Sequence, residues 1–403
     1  MEIHATNDFA ATAALAVSGA AASVDLGTAF DGKTIDASGL TAGGLTIATN
    51  GNLTSFKGGQ GNDTVSTTAL AAAAVAGAVD AGAGTADVLN VATAGDVDTA
   101  AEAALFTNFE VLRNSGTTDL DVSLLSGITS VQLNSADAGA TKLTAAQAAD
   151  IKVLASNATN TVGLTTATGA TDVLGLTLEN LTAAAVATPI DVTALTATGF
   201  ETLNVVSSSG VKAGGSGVGN DLAFAAAGDL TAINVSGAYD LTIAAASITK
   251  AVTITSTQSG TAALYVSGDF ANGSSVTGSG GADAFVLGAG FGTYNGGAGN
   301  DTLYGGAGND QLQGGGGDDA TGRGRGSREE GEPAHVLRQP RPEGDQLGDQ
   351  PDRAPQAVDD RRHGGQQVDQ VAQRLCEAPR CVVGDEQRSE EHTSELQSHS
   401  GIS

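Results

Sequence analysis

Gly296-Gly297-Ala298-Gly299-Asn300-Asp301-Thr302-Leu303-Tyr304 and Gly305-Gly306-Ala307-Gly308-Asn309-Asp310-Gln311-Leu312-Gln313 are two copies of one nine-residue phrase, and they decide the fold. A third copy opens at Gly314-Gly315-Gly316-Gly317-Asp318-Asp319. Counting back in nines, 287–295 keeps an apolar residue, Tyr294, at position eight, and 278–286 keeps Asp283 at six and Phe285 at eight. The glycine-rich part of each phrase can take the positive φ of a tight turn. The remaining three residues make a short strand whose middle side chain turns into a core. Two phrases then form one coil of eighteen residues, which sets each position-six aspartate above the one eighteen residues later.

This register resembles the RTX nonapeptide G-G-x-G-x-D-x-U-x of calcium-binding β-rolls. A Ca²⁺ held between successive turns needs about six to eight oxygens, which stacked carboxylates and turn carbonyls can supply. One side of the roll carries Asp283, Asp301 and Asp319, so two ions are expected there. The other side carries Gly292, Asp310 and Arg328 and is half-built. The expected carboxylate ligands are these four aspartates and Asp63, with Asp318 beside them. The expected turn ligands are Gly296, Ala298, Asn300, Gly305, Ala307, Asn309, Gly314 and Gly316. Asp63 enters through Gly58-Gly59-Gln60-Gly61-Asn62-Asp63-Thr64-Val65-Ser66, a full copy of the phrase far upstream. Looser copies at 82–89 and 167–174 keep only Asp87 or Asp172 at six and Leu89 or Leu174 at eight, and each of these turns is expected to stand without a stacking partner.

Composition divides the chain near residue 320. Residues 1–320 hold 7 Lys and Arg against 29 Asp and Glu, a net charge of −22, with one proline, one histidine (His4) and no cysteine. Residues 321–403 hold 11 arginines, no lysine, six prolines and both cysteines. The change falls inside the third repeat, at Thr321, where position eight should be apolar. Arg388 to Ser398 resembles the translation of a sequencing adapter. The expectation is a disordered tail at 321–403, produced by a frameshift and outside the fold. The acidic body argues for cations as partners and against nucleic acid or anionic membrane surfaces. The apolar run from Phe9 to Val24 has no basic residue before it, as a signal peptide would. The run from Ala69 to Val79 is too short to span a bilayer.

From about 33 to 277 the text is short period-two bursts between Gly, Ser, Asn and Asp, such as Val131-Gln-Leu-Asn134, Leu241-Thr-Ile243 and Val252-Thr-Ile-Thr255. Such bursts predict many short strands. Thr144 is placed to cap a short helix over 143–149. Phe109-Glu-Val-Leu112 is echoed by Phe200-Glu-Thr-Leu203, and Asp87-Val-Leu by Asp172-Val-Leu. This loose duplication predicts an all-β chain coiled as a parallel β-solenoid ending in the roll. A β-sandwich body is the alternative. The expected divisions are an N-terminal segment at 1–32, a solenoid body at 33–277, the roll at 278–320 and the tail.

The acidic Thr/Ala/Val/Gly-rich body, the Phe-Glu-(Val/Thr)-Leu phrases and the terminal repeats together resemble RTX-type bacterial S-layer proteins. That resemblance implies calcium-dependent folding, type I secretion, an extracellular location and self-association into a surface lattice. It also implies attachment to lipopolysaccharide through a separate anchor domain, so the chain is expected to be a fragment. An RTX adhesin is the rival reading. A secreted RTX enzyme is a third, disfavoured because the body holds neither H-E-x-x-H nor G-x-S-x-G and His4 stands alone. No enzymatic activity is expected.

Overall fold

The computed structural model describes residues 14–26, 33–49, 53–67, 78–156, 159–167, 169–180, 189–208 and 219–322. Each coil lays one strand in each of two faces, so sheet neighbours are always every second strand. One face is a single sheet of 14 strands, from Ser23–Asp25 to Gln311–Gly316. The other consists of a 5-stranded sheet from Ala14–Gly19 to Phe106–Thr107 and a 10-stranded sheet from Asp119–Asp121 to Ala320–Gly322. Neighbouring strands are parallel from the first pair to the last. That ends the sandwich alternative, whose sheets are antiparallel.

The period-two pattern works as the sequence predicts. In Val173–Leu178 the alternate residues Leu174, Leu176 and Leu178 are buried. Parallel pairing in register stacks like on like, giving the ladder Leu174, Leu203, Ile233, Ile254, Val276, Tyr294 and Leu312. On the other face the same logic stacks Val266, Phe285 and Leu303. Their successor is the exposed Thr321, so this column loses its apolar residue at that coil. Each apolar side chain thereby finds two neighbours in adjacent coils, which is how a narrow solenoid builds a continuous core.

Coil length explains why the body shows no fixed period. Equivalent residues are 18 apart at Asp283 and Asp301, 24 apart at Asp63 and Asp87, and 30 apart at Glu201 and Thr231. The extra residues sit in corners. Two corners carry single-turn helices, Ala100–Ala103 and Ala145–Ala148, each begun by a capping box. Thr144 is the cap the sequence placed, and Gln147 closes the box with it.

The divisions read from composition are less marked in three dimensions. Ala14–Gly19 pairs with Thr34–Leu40 and Ser23–Asp25 with Gly44–Thr49, so residues of the leading segment form the first described coil. The Val276–Tyr294 step carries the core past residue 277 without interruption. The strand Ala320–Gly322 takes two residues of the expected tail into the sheet beside Thr302–Tyr304. Residues 323–403, with Arg328, and residues 1–13 and 68–77 lie outside the described part. Among the described residues no helix is long and apolar enough to cross a membrane.

Candidate metal centre

The glycines of the phrase have two distinct jobs. At positions two and four the backbone is left-handed, as at Gly297 (φ +105°) and Gly299 (φ +124°), and the next two repeats follow suit. Any side chain there is strained. At position one the constraint is space: a Cβ on Gly296 would lie 2.2 Å from Asp301 Oδ2, and one on Gly314 would lie 2.2 Å from Asp319 Oδ2. Position three has neither demand and holds Ala298, Ala307 or Gly316. Position five is a latch, since Asn300 Oδ1 accepts the Asp318 N–H at 2.9 Å in the next coil.

The position-six aspartates form the expected stack. The Asp283 N–H donates to Asp301 Oδ1 at 2.9 Å, and the Asp301 N–H donates to Asp319 Oδ1 at 3.0 Å, each across 18 residues. On the other side the Gly292 N–H donates to Asp310 Oδ1 at 3.0 Å. Gly296 and Gly305 are buried under these turns, Ala307 and Gly314 are half-buried, and Ala298, Asn309, Gly316 and Asp318 face solvent. The Gly316 carbonyl already accepts the Gly299 N–H at 2.7 Å.

Second oxygens separate the aspartates into two kinds. Asp63 accepts from Leu45 N–H at 2.5 Å and from Gly59 N–H at 2.9 Å. Asp283 accepts from Leu264 N–H and from Ser279 N–H, both at 2.6 Å. In both turns the position-two residue keeps an ordinary φ and aims its N–H at the carboxylate. Asp301 has no such donor, because Gly297 is left-handed. Its Oδ2 is buried in a side chain 1% exposed and has no hydrogen-bond partner. A buried carboxylate oxygen left this way is costly unless a cation meets it. Among the described residues no three His, Cys, Asp or Glu side chains converge as a ligand set. An ion at Asp301 would therefore need ligands from backbone carbonyls as well, an all-oxygen donor set that suits Ca²⁺. The chain fits such an ion further in having no Lys or Arg between 251 and 322.

Residues 288–320 match the RTX calcium-binding nonapeptide repeat (four copies). The match takes in Asp301, Asp310 and Asp319 and stops short of Asp283 and Asp63, the two aspartates that backbone N–H groups already satisfy. No curated protein sequence and no solved structure gives a significant match. Within the described residues the RTX repeats thus continue the parallel stack of the body.

Upstream, the structure corrects the expectation of isolated turns. The Asp63 N–H donates to Asp87 Oδ1 at 2.6 Å, and the Asp87 N–H donates to Glu110 Oε2 at 3.0 Å. The echoed phrase repeats the device, with the Asp172 N–H donating to Glu201 Oε2 at 2.9 Å. Phe109 and Phe200 beside them are core residues. Glutamate thus takes the aspartate's place in the longer corners. Asn62 Oδ1 accepts from Thr85 and Ala86 N–H, the same latch that Asn300 makes. Sequence reasoning found the Phe-Glu echo and missed its purpose.

Burial pushes the Asp283 carboxyl up to about 7, and the charges of Asp301 and Asp240 add to this against its two N–H donors. Burial, again the largest cause, pushes Asp87 up to about 6, with Asp63 and Glu110 adding to it. A carboxyl whose folded pKa is raised stabilises the fold below its unfolded pKa, and that contribution is lost as pH rises through the folded value. In the cation-free protein, whose body keeps Asp87 buried, the body should therefore melt at a lower temperature at pH about 8 than at pH about 5, most of the fall lying between about 4 and 6. Calorimetric melts of the calcium-free chain across this range are the check, and a midpoint rising with pH would contradict it.

Proposed function

We propose that the chain is a secreted, calcium-dependent structural protein that associates with copies of itself into a bacterial surface layer. The observation that carries this reading is the unbroken passage from body to RTX roll. A cation that fastens Asp301 fastens the end of a long solenoid whose two broad faces are repeated coil after coil. A structural role is supported by buried amides of the body that tie one coil to the next through backbone carbonyls. Asn114 Nδ2 donates to the Thr118 and Gly139 carbonyls, and Asn160 Nδ2 to the Ala138 carbonyl. The acidic surface suits assembly in which Ca²⁺ also screens like-charged neighbours. Attachment to lipopolysaccharide belongs to the same proposal. Purified protein, imaged by electron microscopy with and without millimolar Ca²⁺, is the test. Ordered two-dimensional sheets with Ca²⁺ only are expected; dispersed monomers in both conditions would refute lattice assembly.

A further inference from the structure

The side of the roll that carries Asp310 lacks an aspartate at position six one coil earlier, where Gly292 stands. The space is not empty. A Cβ on Gly292 would lie 2.1 Å from Tyr294 Oη and 2.6 Å from the Ser274 carbonyl oxygen. Tyr294 is the position-eight residue of that coil and takes its place in the apolar ladder between Val276 and Leu312. Its ring is longer than the aliphatic residues before it, and its hydroxyl reaches the place a position-six side chain would fill. That hydroxyl belongs to a residue 1% exposed and has no hydrogen-bond partner. The Gly292 N–H meanwhile donates to Asp310 Oδ1 at 3.0 Å, so a carboxylate lies over the same residue. Asp310 is close enough that its charge adds to burial in raising the phenol, to about 12. The group is a neutral oxygen at any ordinary pH.

We propose that the Tyr294 hydroxyl stands in for the missing aspartate, completing with Asp310 and the Ser274 carbonyl a calcium site on the side that the nonapeptide pattern leaves half-built. The inference rests on the reading of the roll as calcium-binding and adds to it a ligand outside the repeat's own residue set. Such a site has one negative charge fewer than a pair of stacked aspartates and is the weaker for it. It also explains the pairing of Gly292 with Tyr294. A glycine is needed where the phenol crosses its backbone, and the phenol is needed where the glycine supplies no oxygen.

Terbium, which replaces calcium and emits when a nearby tyrosine is excited, is the probe, used on the full chain. The chain has four tyrosines and no tryptophan, so the signal is simple to assign. Tyr294→Phe should weaken one class of sites roughly tenfold, the lower end of what losing a supporting group costs a metal site. It should also remove the terbium emission that saturates with that class, whereas Tyr304→Phe should leave that class in place. Melting separates a ligand from a packing role. Without cations, where residues 288–322 are expected to lack β-structure, the Phe variant should melt as the parent does. With calcium it should gain less than the parent does. Equal calcium gains and equal emission in parent and variant would overturn the inference while leaving calcium binding by the roll intact. A Phe variant that melts lower in both conditions by the same amount would also overturn it. A parent that responds to neither ion would overturn both readings.

Discussion

Removing divalent cations is expected to abolish the β-structure of residues 288–322 while the coils of the body persist. The body owns its stability: Leu203, Ile233, Ile254 and Val276 are fully buried in a continuous column. In the last coils that column thins to Leu312, which is only partly buried, and the opposite column ends on Thr321. Against this small apolar gain stand the buried Asp283, Asp301 and Asp310, with no lysine or arginine from 251 to 322 to offset them. Folding here should be coupled to the metal. Recovery is expected at roughly 10⁻⁴–10⁻³ M Ca²⁺, the range of extracellular modules, with Mg²⁺ a poor substitute because it demands a tighter octahedron. Hydrogen exchange resolved by segment, with chelator and then with Ca²⁺, measures this directly. Equal protection of 288–322 in both conditions would refute it.

The parts of the fold that depend on fixed spacing were legible from residues alone. An eighteen-residue period places Asp283, Asp301 and Asp319 in one column, and the backbone-to-carboxylate bonds bear this out. Parallel coiling of the body followed from short period-two bursts and the Phe-Glu echo. What spacing could not give was the trade between neighbouring coils of unequal length. Asp63 and Asp87 are 24 residues apart, so no period announced that they stack. Nor does composition distinguish a carboxylate clamped by backbone from one left open. At Ser279 a residue with a Cβ at position two disfavours the left-handed turn and is a readable sign of a clamp. Gly59 clamps Asp63 equally well and gives no such sign. The substitution of Tyr294 for a position-six carboxylate is invisible in one dimension, because it joins two positions of the phrase that the motif treats as independent.

Asp301→Ala is expected to reduce the number of bound calcium ions and to raise the calcium midpoint for folding well beyond the effect of Asp310→Ala. Asp301 holds the centre of its column. Its Oδ1 accepts from the Asp283 N–H above, its own N–H donates to Asp319 Oδ1 below, and its Oδ2 is buried without a hydrogen-bond partner. Losing the carboxylate therefore strands a backbone donor in one coil and leaves ions on both sides of the residue under-coordinated. Asp310 has one described coil neighbour on its own side, at Gly292, and would serve one ion. Each stranded donor costs about 1–3 kcal/mol when buried, so both variants lose fold stability, and stability alone does not separate them. Stoichiometry does. Calorimetric titration of the two full-length variants should show a larger loss of sites for Asp301→Ala. Equal losses, or a larger loss for Asp310→Ala, would mean that the two sides of the roll are interchangeable and that the column through Asp301 has no special claim on the metal.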